Sequence, residues 1–267
     1  MGRNRIDEKF AALKRAGRKA FIAYITAGDP GMRQTEEIAL ALEESGVDIL
    51  EIGVPFSDPT ADGPIIQEAS QRALKKGTTL AGILDMVAAL RQKSETPIVL
   101  FSYYNPIFSF GVEEFAQRAS RAGVDGVLVV DLPWEESAEL KRVTDPLGIR
   151  FIYLIAPTSG EERIRAVAAK ASGFLYYISV TGVTGTQLPV ADGIEADVVS
   201  IRKYTQLPIA VGFGISNAAT AREIAGKADG IVIGSAIMKI IAEDRGGDLV
   251  EKIREFAAGV SKGLSEG

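Results

Sequence analysis

The chain has 267 residues, 46% of them hydrophobic and 24% charged, which suits a soluble globular protein with a sizeable core. A formal net charge of −5 argues against nucleic acid or an anionic membrane as the main partner, since both demand basic patches. The sequence contains neither cysteine nor histidine, which removes disulfides, thiolate nucleophiles, Ser-His-Asp and Cys-His arrangements and imidazole metal sites, and leaves Asp, Glu, Lys and Tyr for acid–base work.

The N-terminus is charged, and no apolar run approaches the ~18 residues of a membrane span, so no signal peptide is expected and the chain reads as cytoplasmic. The first segment, 5-RIDEKFAALKRAG-17, has helical period and precedes the first strand, which predicts a plug over one end of the fold. Its cations Lys9, Lys14 and Arg15, with Arg3, Arg18 and Lys19, have the spacing of a solvated helix face.

Eight short apolar runs follow: 20-AFIAYITAG-28, 47-VDILEIGVP-55, 97-PIVLFSYYN-105, 125-DGVLVVDLP-133, 149-IRFIYLIAP-157, 173-GFLYYISV-180, 208-PIAVGFGI-215 and 229-DGIVIGSAI-237. Each is almost continuously hydrophobic, as expected of parallel strands covered on both faces. Between them lie helical patterns, among them 33-RQTEEIALALEESG-46, 113-EEFAQRASRAG-123, 161-EERIRAVAAKASG-173 and 217-NAATAREIAG-226, with closing glycines that read as C-caps. The predicted fold is a single-domain α/β (β/α)8 barrel over residues 1–267, with an extra N-terminal helix. An open doubly wound sheet is the alternative. Two intervals are long, about 50 residues after strand 2 and about 35 after strand 6. They open with the loops 53-GVPFSDPTADGP-64 and 181-TGVTGTQLPVADG-193 on the face where barrels build active sites.

Strand parity puts Ile49, Glu51 and Gly53 on one face and Leu50 and Ile52 on the other. If the aliphatic pair meets the helix layer, Glu51 points into the barrel, loses solvation and titrates above an ordinary carboxylate unless paired. The opposing reading makes Glu51 a buried ion-pair partner, yet no strand core holds a cation to match it. Asp58 and Asp62 follow on the loop, where aspartates usually cap turns; Asp62 is the better catalytic candidate because Gly63-Pro64 opens a helical run beside it. No run carries a Schiff-base lysine, and no acidic pair on a strand suggests a metal. Glycines in 212-GFGIS-216 and 234-GSA-236, with 182-GVTG-185 as a third contributor, suit phosphate binding after strands 7 and 8. Tyr24, Phe101, Tyr103, Tyr176 and Phe213 at strand ends suggest a flat apolar ligand.

Taken together, 51-EIGVPFSDPTADGPIIQ-67, 103-YYNP-106, 131-DLP-133, 182-GVTG-185, 212-GFGIS-216 and 234-GSA-236 resemble the tryptophan synthase alpha chain family over essentially the whole chain. The resemblance implies a lyase that cleaves indole-3-glycerol phosphate to indole and glyceraldehyde 3-phosphate by a retro-aldol route, with no cofactor of its own. It also implies a beta-chain partner in an alpha2beta2 assembly, carrying pyridoxal phosphate. By the same resemblance Glu51 is the acid–base residue and Asp62 the aspartate near the indole nitrogen. Gly185, Gly214, Gly234 and Ser235 bind phosphate. Tyr24, Phe101, Tyr103, Leu128, Tyr176 and Phe213 outline the indole pocket, Thr184 is a loop residue beside the active site, and Asp58 is a loop residue linked to signalling to the partner. Val180 stands where some members carry Arg. Competing readings are another phosphate-binding barrel lyase or isomerase, a stand-alone indole-producing lyase, and a non-catalytic activating subunit.

Overall fold

The computed structural model describes residues 4–178, 190–212, 214–215 and 217–265, and all eight predicted strands form. In chain order the elements are α1 (Arg5–Arg15), β1 (Ala20–Thr26), α2 (Met32–Glu44), β2 (Ile49–Gly53), α3 (Pro64–Lys75), α4 (Leu80–Leu90) and β3 (Ile98–Ser102). Then come α5 (Tyr104–Phe110), α6 (Val112–Ala122), β4 (Gly126–Val129), α7 (Ala138–Thr144), β5 (Arg150–Ile155), α8 (Glu161–Lys170) and β6 (Leu175–Ile178). The chain finishes with α9 (Val190–Arg202), β7 (Ile209–Gly212), α10 (Ala218–Ala225), β8 (Gly230–Ile233), α11 (Ser235–Glu243) and α12 (Leu249–Ser265). Every strand pairs in parallel with its sequence neighbours, and β1 also pairs with β8, closing the barrel. Closure leaves no open edge, which rules out the doubly wound alternative.

The strands are apolar throughout because each separates two cores. Outward residues such as Leu50, Ile52, Leu100 and Val127 meet the helix layer. Inward residues Ile22, Ile49, Val99, Leu128, Ile152, Ala210 and Val232 pack on one another inside the barrel. The inner cluster is completed by Ile6, Phe10 and Leu13 of α1, spaced to share one helix face, so the N-terminal helix does plug the barrel. Asn4 caps α1 by accepting from the Ile6 amide, and its own side-chain amide donates to Asp125 O and Gly148 O at 2.8 and 2.9 Å.

At this N-terminal face the charges are paired. Asp125, 4% exposed, accepts from the Ile98 amide at 2.8 Å, from Arg91 at 2.6 Å and from Arg5 at 3.1 Å. Part of the cationic face of α1 is therefore engaged rather than solvated: Arg5 pairs with Glu95 and Asp125, and Lys9 approaches Asp48 at 3.7 Å.

The structure refines several local details. The long interval after β2 is filled by two helices, α3 and α4, and the run 97–105 stops as a strand at Ser102, so that Tyr104 and Asn105 are helical. Pro106 sits in the first turn of α5, where a missing N–H costs nothing. Residues 190–193, expected in a loop, already belong to α9, and the run 229–237 stops as a strand at Ile233, with α11 starting at Ser235. Gly123 takes the left-handed cap conformation at φ 86°, whereas Gly226 caps α10 at φ −58° without it. Among the described residues, no helix is long and apolar enough to cross a membrane.

Candidate active site

Glu51 occupies the middle of β2, in register with Tyr24 of β1 and Val99 of β3. Its inward side is settled by its neighbours, since Ile49 lies in the inner cluster while Leu50 and Ile52 lie in the outer one. The residue is 0% exposed, and neither carboxyl oxygen has a hydrogen-bond partner among the described residues. With no compensating donor, burial alone pushes its carboxyl up to about 8. An unsatisfied buried carboxyl is rare in folded proteins and concentrates at sites of chemistry.

Above it, at the C-terminal ends of the strands, lies a cavity of 270 Å³. Tyr24, Phe101, Tyr176 and Ile178 form one part of its wall, and Asp62, Gly63 and Ile66 another. Gly212, Gly214, Ile215, Val232, Gly234 and Ser235 complete the lining. Tyr24 and Tyr176 both feel the charge of Glu51, so the carboxyl lies close to these two rings. Their own hydroxyls are pushed well above ordinary phenols, first by burial. Tyr24 meets Phe101 edge-on, with centroids 5.3 Å apart, and its hydroxyl is 3.2 Å from Thr26 Oγ1.

Each tyrosine ring lies across a glycine of the next strand. A methyl group built at Gly53 would fall 2.2 Å from Tyr24 Oη, and one at Gly212 would fall 2.3 Å from Tyr176 Oη. Only glycine leaves room for these rings.

Asp62 sits half-buried on the loop between β2 and α3. Burial pushes its carboxyl up to about 6, opposed by a hydrogen bond from Tyr103. The loop is closed by Asp62 N donating to Pro59 O at 3.1 Å and by Gln67, whose amide donates to Asp62 O at 2.8 Å. Across the cavity, Gly234 caps the nine-residue helix α11, whose first amides lack intrahelical acceptors and carry the positive end of the helix dipole. Gly214 faces open space there.

The structure thus brings Asp62, Tyr24, Phe101, Tyr176, Gly214, Gly234 and Ser235 onto one cavity, with Glu51 beneath it. Three candidates stand elsewhere. Tyr103, 3% exposed, lies behind the Asp62 loop and off the cavity wall, and Leu128, 0% exposed, is packed with Ile22, Ile49, Val99 and Ile152 in the inner core. Asp58 is exposed on the loop, away from the cavity. Gly185, Thr184, Val180 and Phe213 lie outside the described residues. Ile66, Ile178, Ile215 and Val232 line the cavity without having been singled out, because an aliphatic residue on a strand or helix carries no mark separating wall from core. Among the described residues no group of three or more acidic side chains could hold a metal ion.

Comparison with known proteins agrees with this geometry. The sequence model of the family "Tryptophan synthase alpha chain" matches residues 10–263. A tryptophan synthase alpha chain from Citrifermentans bemidjiense is 51% identical over 264 residues, covering 99% of each chain. The crystal structure of tryptophan synthase subunit alpha from Legionella pneumophila superposes with a TM-score of 0.92 at 36% identity, covering 99% of this chain and 100% of that one. A chain of the tryptophan synthase complex from Pyrococcus furiosus superposes with a TM-score of 0.82 at 36% identity, covering 91% and 98%.

Proposed function

The chain belongs to the tryptophan synthase alpha chain family and is a lyase of tryptophan biosynthesis, and from that premise we propose that Glu51 and Asp62 divide the work of cleaving indole-3-glycerol phosphate. The observation that carries the assignment is the contrast between these two carboxyls beside one cavity, Glu51 pushed up to about 8 and Asp62 only to about 6. At neutral pH the first holds its proton and the second is largely ionised, the separation of roles that acid–base catalysis requires.

Breaking the bond between indole C3 and the glycerol side chain needs a proton delivered to C3, which turns the ring into an indolenine leaving group. A base then takes the side-chain hydroxyl proton as the aldehyde carbonyl forms, and the bonding electron pair passes to the ring. Glu51 serves both steps by giving one proton and receiving another. Because it is buried under Tyr24 and Tyr176, it reaches the substrate by a side-chain rotation between those rings. Asp62 offsets the positive charge that develops on the indole nitrogen. Phosphate is held by the α11 N-terminus, Gly234, Ser235 and Gly214, with Gly185 as a further donor, so that binding energy at this end orients the reacting bond. Tyr24, Phe101 and Tyr176 clasp the indole ring.

The partner is a beta chain, in an alpha2beta2 assembly, whose pyridoxal phosphate joins the released indole to serine; this chain needs no cofactor for its own step, and it works in the cytoplasm. An aromatic face on the cavity side of the barrel suits such a partner. Phe108 of α5 is 61% exposed, its ring lies 5.9 Å from Tyr104, and the neighbouring Phe56–Tyr103 contact ties this helix to the loop bearing Asp58.

The test is indole release from indole-3-glycerol phosphate by the isolated chain, with and without a beta chain. Release that rises on adding the beta chain supports the assignment. Unchanged release identifies a stand-alone lyase, and none under either condition identifies a non-catalytic subunit.

A further inference from the structure

We infer that Tyr103 is a positioning residue for Asp62, fixing both the place and the charge of that carboxylate, and is not a wall of the substrate pocket. This rests on the reading of Asp62 given above.

A tyrosine hydroxyl has one proton to give and lone pairs to accept with. The Tyr103 oxygen accepts from the Ala61 amide at 2.9 Å. Its proton is thereby free to point toward the carboxylate of the next residue, Asp62, whose charge acts on the same hydroxyl. One hydroxyl so braces the backbone of this segment beside its carboxylate. The hydroxyl is itself held still: the ring is 3% exposed and lies 5.0 Å from the ring of Phe56. Its backbone is tied by Ser102 Oγ donating to Tyr103 O at 2.8 Å and by Tyr104 N donating to Asp131 Oδ1 at 2.7 Å.

Gln67 of α3 makes a useful contrast. Its amide donates to Asp62 O and to Pro59 O, at 2.8 and 3.3 Å, bracing the loop backbone without engaging the carboxylate. Position is thus supplied from two sides, and control of charge from Tyr103.

The titratable groups around Asp62 contain no substitute for this hydroxyl. Tyr24 of β1 faces it as a phenol, Glu51 of β2 acts on the same Tyr24, and Asp131 after β4 acts on Tyr103. Among the described residues, no cation contributes to the shift of Asp62. Burial raises the carboxyl, and the hydroxyl dipole of Tyr103 opposes it. Losing a hydrogen bond to a charged acceptor raises a buried carboxyl by about 1 to 2 pH units, a tenfold to hundredfold change in its proton affinity.

The experiment uses the full chain as wild type, Tyr103→Phe, Gln67→Ala and Asp62→Asn, each first shown to be folded by circular dichroism. It measures kcat/KM for indole formation between pH 5 and 9, together with the carbon-13 titration of the Asp62 carboxyl. Tyr103→Phe keeps the ring and its contact with Phe56. We expect it to move both the acid limb and the carboxyl titration upward by about 1 to 2 pH units, while Gln67→Ala lowers kcat with the limb unmoved. An Asp62 titration in Tyr103→Phe that coincides with wild type overturns the inference. A titration that rises while the acid limb stays put, or full activity in Asp62→Asn, leaves the tuning by Tyr103 standing and removes the catalytic reading of Asp62 instead.

Discussion

Asp125 and Glu51 are both carboxylates buried at the barrel strands, 4% and 0% exposed, and they are treated in opposite ways. At the N-terminal face Asp125 meets one backbone amide and two arginines, so its charge is answered on every side. At the other end of the barrel Glu51 meets no hydrogen-bond donor among the described residues, and its charge acts on the rings of Tyr24 and Tyr176. Burial raises both groups, but for Asp125 the Ile98 amide and the arginines oppose the rise, whereas for Glu51 nothing does. Burial therefore does not distinguish a structural acid from a chemical one. The presence or absence of partners does.

The comparison breaks most visibly if Glu51 can be neutralised without consequence. Glu51→Gln should lower indole formation by at least about 10³-fold while the barrel stays folded, and turnover within tenfold of wild type would end its role as proton carrier.

The same substitution sharpens the contrast in stability. In the unfolded chain Glu51 ionises near 4.5, in the folded chain near 8, so between these values the folded state holds a proton that the unfolded state has lost. Its contribution to stability is full below about 4.5, declines as pH rises toward 8 and is constant above. Denaturant melts should show Glu51→Gln and wild type together at pH 4, with the variant ahead at pH 9 by on the order of 4 kcal/mol.

Asp62→Asn should cost about 10² to 10³ in kcat with little change in unfolding, because it removes charge opposite the developing cation. A loss under tenfold would count against that job. The smallest effect belongs to the paired end. Arg91→Ala leaves Asp125 short of its closest cation and should cost about 3 kcal/mol of stability, seen as a lower melting temperature, with kcat per folded molecule unchanged. A drop in kcat without loss of stability would mean that the two ends of the barrel are coupled.

Much of this was legible in the residues, for physical reasons that can be named. The eight strands were visible because double coverage demands unbroken apolar runs, and Glu51 because a period of two puts it on the inner face with Ile49. The N-terminal plug was visible because Ile6, Phe10 and Leu13 repeat at helical spacing. The contact of Tyr103 with the Asp62 loop is not legible, because 103-YYN-105 reads as the continuation of an apolar run, whereas the chain starts a helix at Tyr104 and the Tyr103 hydroxyl meets the Ala61 amide. Leu128 enters only through the family resemblance, and parity alone reports which side of a strand it faces, not how deep in the barrel it lies. The partnerless state of Glu51 was anticipated only as a shortage of nearby cations. Which donors reach a buried oxygen depends on tertiary contacts that no local pattern encodes.

Gly53 and Gly212 leave the two tyrosine rings their places beside the cavity. On the proposed reading, the room for an aromatic substrate is set by two missing methyl groups one strand away from the rings that would grip it. Reshaping the cavity would start there, at residues that carry no side chain of their own.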